Sequence, residues 1–339
     1  MRMLATLRQI DSLTPIEKAD RIETAWFGGW SVVVQKGLHK QGDTVIYIEV
    51  DSCLPVDNPL FASLAERGAR EIEGVRYHRL KTIKLKKQIS QGFVLPVRET
   101  DIDPSDESLH DVDLAEHFGI IKWDPEVHQP NKRLAGNAKG QFPTHLLSKT
   151  DAERVQNCWA TVKSIDTKWE CSLKIDGTSC TVYKIQGDYG ICSRNLELKL
   201  DDSNNDNIYV IKGKELLEKI SHLDNIAFQG EIYGEGIQQN KENIVGIRFA
   251  IFDIVDLVTR KKYTSTERIK LCAELNIDHV PIIHEAIDLP KTVQDCLAMA
   301  TGPSVNSPLR EGIVFKSISD PEISFKAISN EWLLKFSDD

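Results

Sequence analysis

A stretch without hydrophobic periodicity divides this sequence of 339 residues into two parts. Residues 131–144 mix Gly, Asn, Pro and charged side chains, and they follow neither the period of a strand nor that of a helix. A single hydrophobic core rarely grows beyond about 250–300 residues, so two domains are expected in a chain of this length. We therefore predict a first domain over residues 1–130, a linker over 131–144 and a second domain over 145–339.

The first part of the sequence consists of short strand-like runs between turns that contain glycine. The runs cover residues 30–35, 43–50 and 92–97, and the turn signal Gln41-Gly42-Asp43 leads into the second of them. This pattern predicts a small β-barrel. Residues 99–116 carry eight carboxylates and are expected to form a solvated loop.

The second part alternates strand-like runs with helical patterns. Strands are expected within 180–183, 226–233, 247–254 and 312–315, and helices within 214–223 and 264–275. Thr264 and Glu267 have the spacing of a capping box at the start of the second helix. Because the elements show no βαβ regularity, the predicted fold class is α+β with antiparallel sheets.

Composition excludes several classes of protein. With 41% apolar and 27% charged residues the chain is an ordinary globular protein, and no apolar run is long enough to span a membrane. The seven cysteines are scattered and lack zinc-site spacing, which favours incidental thiols and a cytoplasmic or other reducing intracellular compartment. A net charge of −9 argues mildly against a protein that coats nucleic acid.

The run Lys174-Ile175-Asp176-Gly177 is the first candidate for chemistry. A lysine becomes a nucleophile only when desolvation or nearby cations lower its pKa, and a partly apolar run precedes Lys174. Gly177 would allow a tight turn and the close approach of a ligand phosphate. The alternative is an exposed strand lysine followed by an Asp-Gly turn, and the four residues alone do not exclude it.

Five further segments follow this run in a fixed order. They are Ser193-Arg194-Asn195, the run 229–235 (Gln-Gly-Glu-Ile-Tyr-Gly-Glu), the run 249–253 (Phe-Ala-Ile-Phe-Asp), the run 310–316 (Arg-Glu-Gly-Ile-Val-Phe-Lys) and Ser324-Phe325-Lys326. The whole series resembles the covalent nucleotidyltransferase superfamily of ATP-dependent ligases and capping enzymes. That family has an α+β, ATP-grasp-like catalytic domain in which the lysine of the first motif is adenylated.

The resemblance implies a role for each matching residue. Lys174 is the nucleophile, and Lys316 and Lys326 neutralise the α-phosphate of ATP. The carboxylates of Asp176, Glu231 and Glu311 are hard oxygen donors suited to a hydrated Mg²⁺ or Mn²⁺. The remaining candidates for the ATP site are Ser172 and Leu173 before the lysine, Phe252 and Val314 around adenine, Glu231 at the ribose hydroxyls, Arg194 near the ribose or an incoming 5′-phosphate, and Lys149 and Arg154 near the β- and γ-phosphates. Without the motif series, each would be read as a surface charge or a core residue.

Ser179 indicates the branch of the superfamily. DNA ligases and capping enzymes typically have an arginine at this position, two residues after the motif glycine, and they carry a barrel after the last motif. Only a short segment follows Lys326, so the barrel is expected at the N-terminus, where residues 17–25 and 29–37 resemble OB-fold modules of the tRNA-binding type. This arrangement resembles the Deinococcus and Naegleria type of RNA ligase. Two departures from the family pattern are Leu173 in place of Glu and Ile328 in place of a second Lys.

The resemblance predicts an ATP-dependent RNA ligase that joins 3′-OH and 5′-phosphate ends through a lysyl-AMP, with nick sealing in RNA repair as the expected role. The expected partner is RNA, in the form of a nicked duplex, and the chain is expected to be a monomer without membrane contact. The alternatives are a DNA ligase or capping-type enzyme, or an RNA-binding OB protein with a decayed ligase domain. The predicted RNA-binding residues lie in the most basic segment and are Arg76, Arg79, Lys81, Lys84, Lys86 and Lys87.

Overall fold

The computed structural model describes residues 2–124, 128 and 136–336, and it divides into two compact units. The first unit runs to Gln129 and also includes the end of the chain from Leu333, and the second runs from Pro130 to Trp332. Residues 131–135 of the predicted linker lie outside the described residues. Ala138–Gln141, also predicted as linker, instead forms a strand that pairs with a distant part of the chain, and Phe142 is buried.

The first unit is built from short antiparallel strands in small sheets. One sheet has the order β1-β5-β11, a second β2-β3-β4 and a third β12-β6-β8-β7, while β9 and β10 pair only with each other. The strands are β1 (Ala5–Gln9), β2 (Ser12–Pro15), β3 (Ile22–Phe27), β4 (Trp30–Gln35), β5 (Thr44–Ile48), β6 (Ser52–Pro55), β7 (Arg70–Ile72), β8 (Val75–Arg79), β9 (Thr82–Leu85), β10 (Gln88–Gln91), β11 (Phe93–Pro96) and β12 (Ile121–Lys122).

Strand β5 lies at the centre of this unit because both of its faces are buried. Ile46 and Ile48 point into one apolar cluster, whereas Val45 and Tyr47 point into another. Side chains alternate between the faces of a strand, so a continuous apolar run is what a strand between two cores requires. The acidic segment 99–116 is mostly exposed, but Leu114 and Ala115 pack into the first cluster, so its end is not the solvated loop that was predicted.

The second unit contains two larger sheets. The orders are β13-β18-β17-β16-β19-β20-β21 and β14-β24-β23-β15-β22, and every pairing is antiparallel except that of β14 with β24. The α+β class with antiparallel sheets is therefore confirmed. The strands are β13 (Ala138–Gln141), β14 (Glu153–Arg154), β15 (Trp169–Lys174), β16 (Thr178–Ile185), β17 (Asp188–Cys192), β18 (Leu196–Leu198), β19 (Ile226–Gly234), β20 (Ile247–Asp256), β21 (Lys261–Lys262), β22 (Ile282–Ile287), β23 (Gly312–Ser317) and β24 (Ser324–Ile328).

Five α-helices follow residue 136 in the described part of the chain, the last of them across the boundary between the units. They are α1 (Val155–Val162), α2 (Ile208–Lys219), α3 (Ser265–Glu274), α4 (Val293–Ala300) and α5 (Asn330–Phe336). Helix α3 begins with the predicted capping box between Thr264 and Glu267. Helix α2 begins six residues before the predicted start, because Asn207 caps it by accepting a hydrogen bond from the backbone of Tyr209.

Candidate active site

Lys174 is the last residue of β15, an inner strand of the five-stranded sheet that lies between β23 and β22. Its cross-strand partner is Gly312, and Ser172 lies opposite Val314 in the same pairing. Glu311 immediately precedes β23, so the register brings its carboxylate to the lysine. Lys174 Nζ donates a hydrogen bond to Glu311 Oε2 over 2.6 Å, and both side chains are largely buried.

Two further carboxylates interact electrostatically with this ion pair. Asp176 follows β15 in the turn to β16, and Glu231 occupies the middle of β19 opposite Ser179. Burial raises the pKa of Glu231 to about 8, with Lys174 opposing the shift and Glu311 adding to it. Burial and the charge of Glu311 likewise raise the pKa of Asp176 to about 7. The three predicted metal residues therefore converge, and their mutual repulsion is the kind that a cation relieves.

These carboxylates fit a divalent cation by their chemistry. Buried oxygen donors that repel one another suit a hard ion such as Mg²⁺ or Mn²⁺, which keeps much of its water. Over residues 2–124, 128 and 136–336, no group of three or more His, Cys, Asp or Glu side chains is arranged to hold a metal directly. Contact with the cation through metal-bound water stays a prediction.

The protonation of Lys174 differs from the prediction. Burial by itself lowers the pKa of the ammonium, but the charges of Glu311 and Glu231 outweigh burial and raise this pKa above its ordinary value. The expectation of a lowered pKa is therefore wrong. The neighbouring carboxylates favour the cationic form of the lysine.

Several predicted cations surround the same cluster. Lys326 lies in β24 opposite Val314, and Arg154 of β14 lies opposite Lys326. Burial, together with the Lys174 cation, lowers the pKa of Lys326 to about 8, which places the two amines in one electrostatic cluster. Arg194 donates to Asp151 at 2.7 Å.

Lys149 lies at the exposed margin of this region. Its Nζ donates to Asn195 Oδ1 over 2.9 Å, next to Arg194 in the sequence. The neighbouring Thr150 hydroxyl lies 2.8 Å from that of Ser179. The segment that carries Lys149 therefore runs alongside β16, and the predicted phosphate-binding residues are drawn toward one region of the unit.

Lys316 is the clear exception among the predicted catalytic residues. Its ammonium donates to the carboxylate of Asp253 and, at 2.9 Å, to the backbone oxygen of Phe252. Asp253 also pairs with Lys262 at 3.0 Å, so the charge of Lys316 is already shared within a buried cluster. The predicted contact of Lys316 with the α-phosphate is not supported. Its position instead fastens β20 to β23.

This fastening joins the two strands that carry the predicted adenine contacts. Phe252 in β20 and Val314 in β23 are both partly buried, as the walls of a slot would be. Ser172 is buried beside Val314. The Leu173 side chain packs in an apolar cluster that Phe252 borders, so it contributes packing and no polar contact.

Lys241 belongs to the site but was missed by the sequence reasoning. Its Nζ lies 3.5 Å from Asp176 Oδ2 and 4.9 Å from the centre of the Trp332 ring. The loop before it has three consecutive residues with positive φ, Gln238, Gln239 and Asn240, a conformation that non-glycine residues adopt at a cost. No motif contains this lysine, so only the folded loop reveals it.

Gly177 is required by the close approach of β19. A Cβ at this position would clash with the backbone oxygen of Ile232 and lie 2.8 Å from the Glu231 side chain. The close packing is a second reason for the glycine, and its predicted role in the approach of a ligand phosphate stays a prediction. The glycine sets the spacing between Lys174 and Glu231.

Replacing Gly177 by alanine is therefore expected to slow the predicted reaction of Lys174 with ATP by about tenfold to a hundredfold, because displacing β19 shifts Glu231 from the lysine. The rate of labelling by radioactive ATP measures this. Gly140→Ala is the matched control, since a Cβ at Gly140 meets nothing within 4 Å. Equal rates for both variants would contradict the packing argument.

The predicted RNA-binding residues belong to the first unit and differ in their surroundings. Arg76 lies 3.5 Å from Asp57, and Arg79 donates to Asp51 at 2.8 Å while stacking on Trp123 at 4.9 Å. Lys81 is half-buried, whereas Lys84, Lys86 and Lys87 are exposed. The two arginines thus have structural partners that the sequence pattern does not show.

Comparison with known proteins supports a relationship over both units. An OB-fold domain model matches residues 4–97, which confirms the predicted N-terminal OB fold, and an RNA ligase model matches residues 167–328. The Naegleria gruberi RNA ligase with PPi is 39% identical, with a TM-score of 0.90 and complete coverage of both chains. This chain belongs to the RNA ligase family.

Other structures of the same relative give similar values. A mutant of the Naegleria gruberi enzyme with ATP and Mn is 39% identical at a TM-score of 0.90, covering 99% of this chain and 100% of its own. Another mutant with AMP and Mn is 38% identical at a TM-score of 0.91, with complete coverage of both chains. No curated protein matches by sequence. None of the helices in the described parts of the chain has the length and apolar character of a membrane span.

Proposed function

We propose that this RNA ligase uses ATP to form a covalent lysyl-AMP at Lys174, transfers the AMP to a 5′-phosphate and then joins that end to a 3′-OH. One observation carries the proposal: a largely buried lysine at the end of β15 lies 2.6 Å from Glu311, within a cluster of carboxylates and cations. The Naegleria gruberi relative has been solved with ATP and Mn, with AMP and Mn and with PPi, which correspond to the substrate, the transferred nucleotide and the leaving group of the first step.

The first step forms a bond between Lys174 Nζ and the α-phosphorus and breaks the bond from that phosphorus to the pyrophosphate oxygen. Lys174 must lose one proton to react, and Glu311 Oε2 is the acceptor in contact with it. Lys326 and Arg154 lie side by side on β24 and β14, where they can stabilise the negative charge that develops on the phosphate. Phe252 and Val314 would enclose the adenine.

Asp176, Glu231 and Glu311 would hold the divalent cation through water. When bound, the cation neutralises phosphate charge and orients the pyrophosphate leaving group. In the second step a 5′-phosphate oxygen of RNA attacks the AMP phosphorus and releases Lys174. In the third step the 3′-OH attacks the 5′-phosphate and releases AMP. Arg194 is the candidate to bind the incoming 5′-phosphate, because a guanidinium can donate two hydrogen bonds to it.

The substrate proposed is a nicked RNA duplex, in keeping with a role in RNA repair, and the enzyme is proposed to act as a monomer. Ser179 supports the RNA branch over the DNA ligase branch: its hydroxyl contacts Thr150 at 2.8 Å, a space that the larger arginine of DNA ligases would have to share. A decayed ligase domain is disfavoured because Lys174, Lys326 and all three carboxylates are present and converge.

Incubation of the wild-type protein with ATP labelled at the α-phosphate tests the proposal directly. With Mn²⁺ or Mg²⁺ present, the label is expected to remain on the protein in denaturing electrophoresis. A chase with a nicked RNA duplex should then move the label to the 5′-end and into released AMP. Absence of label would refute the lysyl-AMP, and equal sealing of nicks with a DNA 3′-OH and an RNA 3′-OH would refute the RNA assignment.

A further inference from the structure

Strands β9 and β10 form a hairpin that carries three exposed lysines. Leu85 pairs with Gln88, so Lys86 and Lys87 make a two-residue loop at the tip, and Lys84 is exposed on β9. We call residues 82–91 the lysine hairpin. β9 and β10 pair only with each other, while the Ser31 hydroxyl donates to the Ile89 oxygen and Val33 donates to the Ser90 hydroxyl. The base of the hairpin is thereby fixed to β4 and its tip is left open to solvent.

The two loop residues have a conformation that lysine rarely adopts. Lys86 has φ of 48° and Lys87 has φ of 70°, and two positive φ values in a two-residue loop favour Asn-Gly. A lysine side chain at each of these positions strains the backbone, because residues other than glycine adopt positive φ at a cost. Local conformational preference therefore does not explain why both loop residues are lysines. A requirement for positive charge at the tip explains them.

The charge on the lysine hairpin is not balanced nearby. Within the described residues, none of the ion pairs involves Lys84, Lys86 or Lys87, although Arg76 and Arg79 of the adjacent β8 pair with Asp57 and Asp51. The hairpin itself contains no acidic residue, and the whole chain has a net charge of −9. A local surplus of cations in an acidic protein is the electrostatic signature of a phosphate-binding surface.

The residue types at the tip also indicate the form of the nucleic acid. Residues 82–91 contain no aromatic side chain, so the hairpin has nothing on which an unpaired base could stack. Lysine ammonium groups contact phosphates as point charges without regard to sequence. A duplex presents its phosphates outward and keeps its bases stacked, which matches this set of side chains.

We propose that the lysine hairpin binds the sugar-phosphate backbone of duplex RNA through Lys84, Lys86 and Lys87, while Arg76 and Arg79 stabilise the fold of the first unit. This inference rests on the proposed RNA-joining function and assigns the surface that holds its substrate.

The double variant Lys86→Asn with Lys87→Gly tests the assignment in the full-length protein. Because Asn-Gly suits the turn, the melting temperature is expected to rise by about 3 °C. The loss of two phosphate contacts should weaken binding of a nicked RNA duplex about tenfold, and should reduce the magnitude of the slope of log affinity against log salt by about 1.8. Binding is measured without ATP and metal, over a series of salt concentrations. Unchanged affinity and slope would overturn the proposal.

Two control variants separate the contact from general charge effects. Lys18 is also exposed and has φ of 58° in another turn of the same unit, so Lys18→Gly relieves similar strain and removes a positive charge elsewhere. It should bind RNA as the wild type does, and an equal loss of affinity would show a net-charge effect and overturn the assignment. The variant Lys86→Arg with Lys87→Arg keeps the charge and should keep the affinity; a tenfold loss would also contradict the proposal.

The labelling of the wild-type protein by ATP keeps the two proposals apart. Label on the wild type together with unchanged RNA binding by the Asn-Gly variant would refute the hairpin assignment alone. Absence of label would refute the proposed lysyl-AMP, whatever the hairpin binds.

Discussion

Replacing Lys174 by methionine is expected to abolish labelling by ATP and to lower the sealing of 5′-phosphate nicks by about 10³-fold or more, since no other group can take the place of a nucleophile. Methionine keeps much of the length of the side chain and removes the amine. The neighbouring carboxylates lose their cationic partner, so a modest loss of stability is also expected. Covalent label and sealed product, both separated by electrophoresis, are the measurements.

A pre-adenylated nick provides the control for this variant. The 3′-OH attacks such a substrate directly, so the step does not use Lys174 as a nucleophile, and the variant should still seal it. Sealing of this nick by a variant that cannot be labelled would show that the site is folded and that the amine alone is missing. Failure on both substrates would instead point to collapse of the carboxylate cluster, and full activity on 5′-phosphate nicks would disprove the role of Lys174.

Features that depend on neighbouring residues were predictable from the sequence. The strand Trp30–Gln35 was predicted with its observed bounds, and the Thr264 capping box was predicted because both of its partners lie within four residues. Helix α2 was misplaced because its buried run from Ile208 to Val210 has no helical periodicity to mark the start. Ala138–Gln141 was misread because its strand partner lies more than fifty residues later.

The site likewise has features that could be predicted from the sequence and features that depend on residues far apart in the chain. The order of the motifs gave Lys174, Asp176, Glu231 and Glu311, which the sheet register brings together. It could not give the partner of Lys316, because that partner, Asp253, lies 63 residues away and takes up the charge that had been assigned to the phosphate. It also could not give the pKa of Lys174, since that value depends on how closely the carboxylates are packed around the amine.

Below the site, a buried ion pair holds β15 to helix α3. Arg268 and Glu170 are almost fully buried, and the arginine donates to both carboxylate oxygens at 2.6 and 2.8 Å. Arg268 Nε also donates to His279 Nε2 at 2.8 Å. Burial, together with the Arg268 cation, lowers the pKa of His279 to about 4, so the ring is the neutral acceptor that this bond requires.

Arg268→Met is therefore expected to lower the free energy of unfolding by about 3–5 kcal/mol, because it leaves the Glu170 charge buried without its partner. Lys270→Met on the same helix is the matched control. Its pair with Glu274 is exposed and 3.8 Å long, so a change below about 0.5 kcal/mol is expected. Urea unfolding followed by tryptophan fluorescence measures both variants.

The double variant Glu170→Leu with Arg268→Met tests whether the loss of stability comes from losing the ion pair or from leaving the Glu170 carboxylate buried without a partner. Removing both charges should restore most of the stability that Arg268→Met loses, since desolvation of a buried ion pair offsets much of its attraction. Glu170 lies four residues before Lys174 on β15, so labelling by ATP should fall with Arg268→Met and recover with the double variant. The single variant Glu170→Leu completes the comparison. If the loss of stability in the double variant equalled the sum of the losses in Glu170→Leu and Arg268→Met, the two charges would not interact across the strand and the helix.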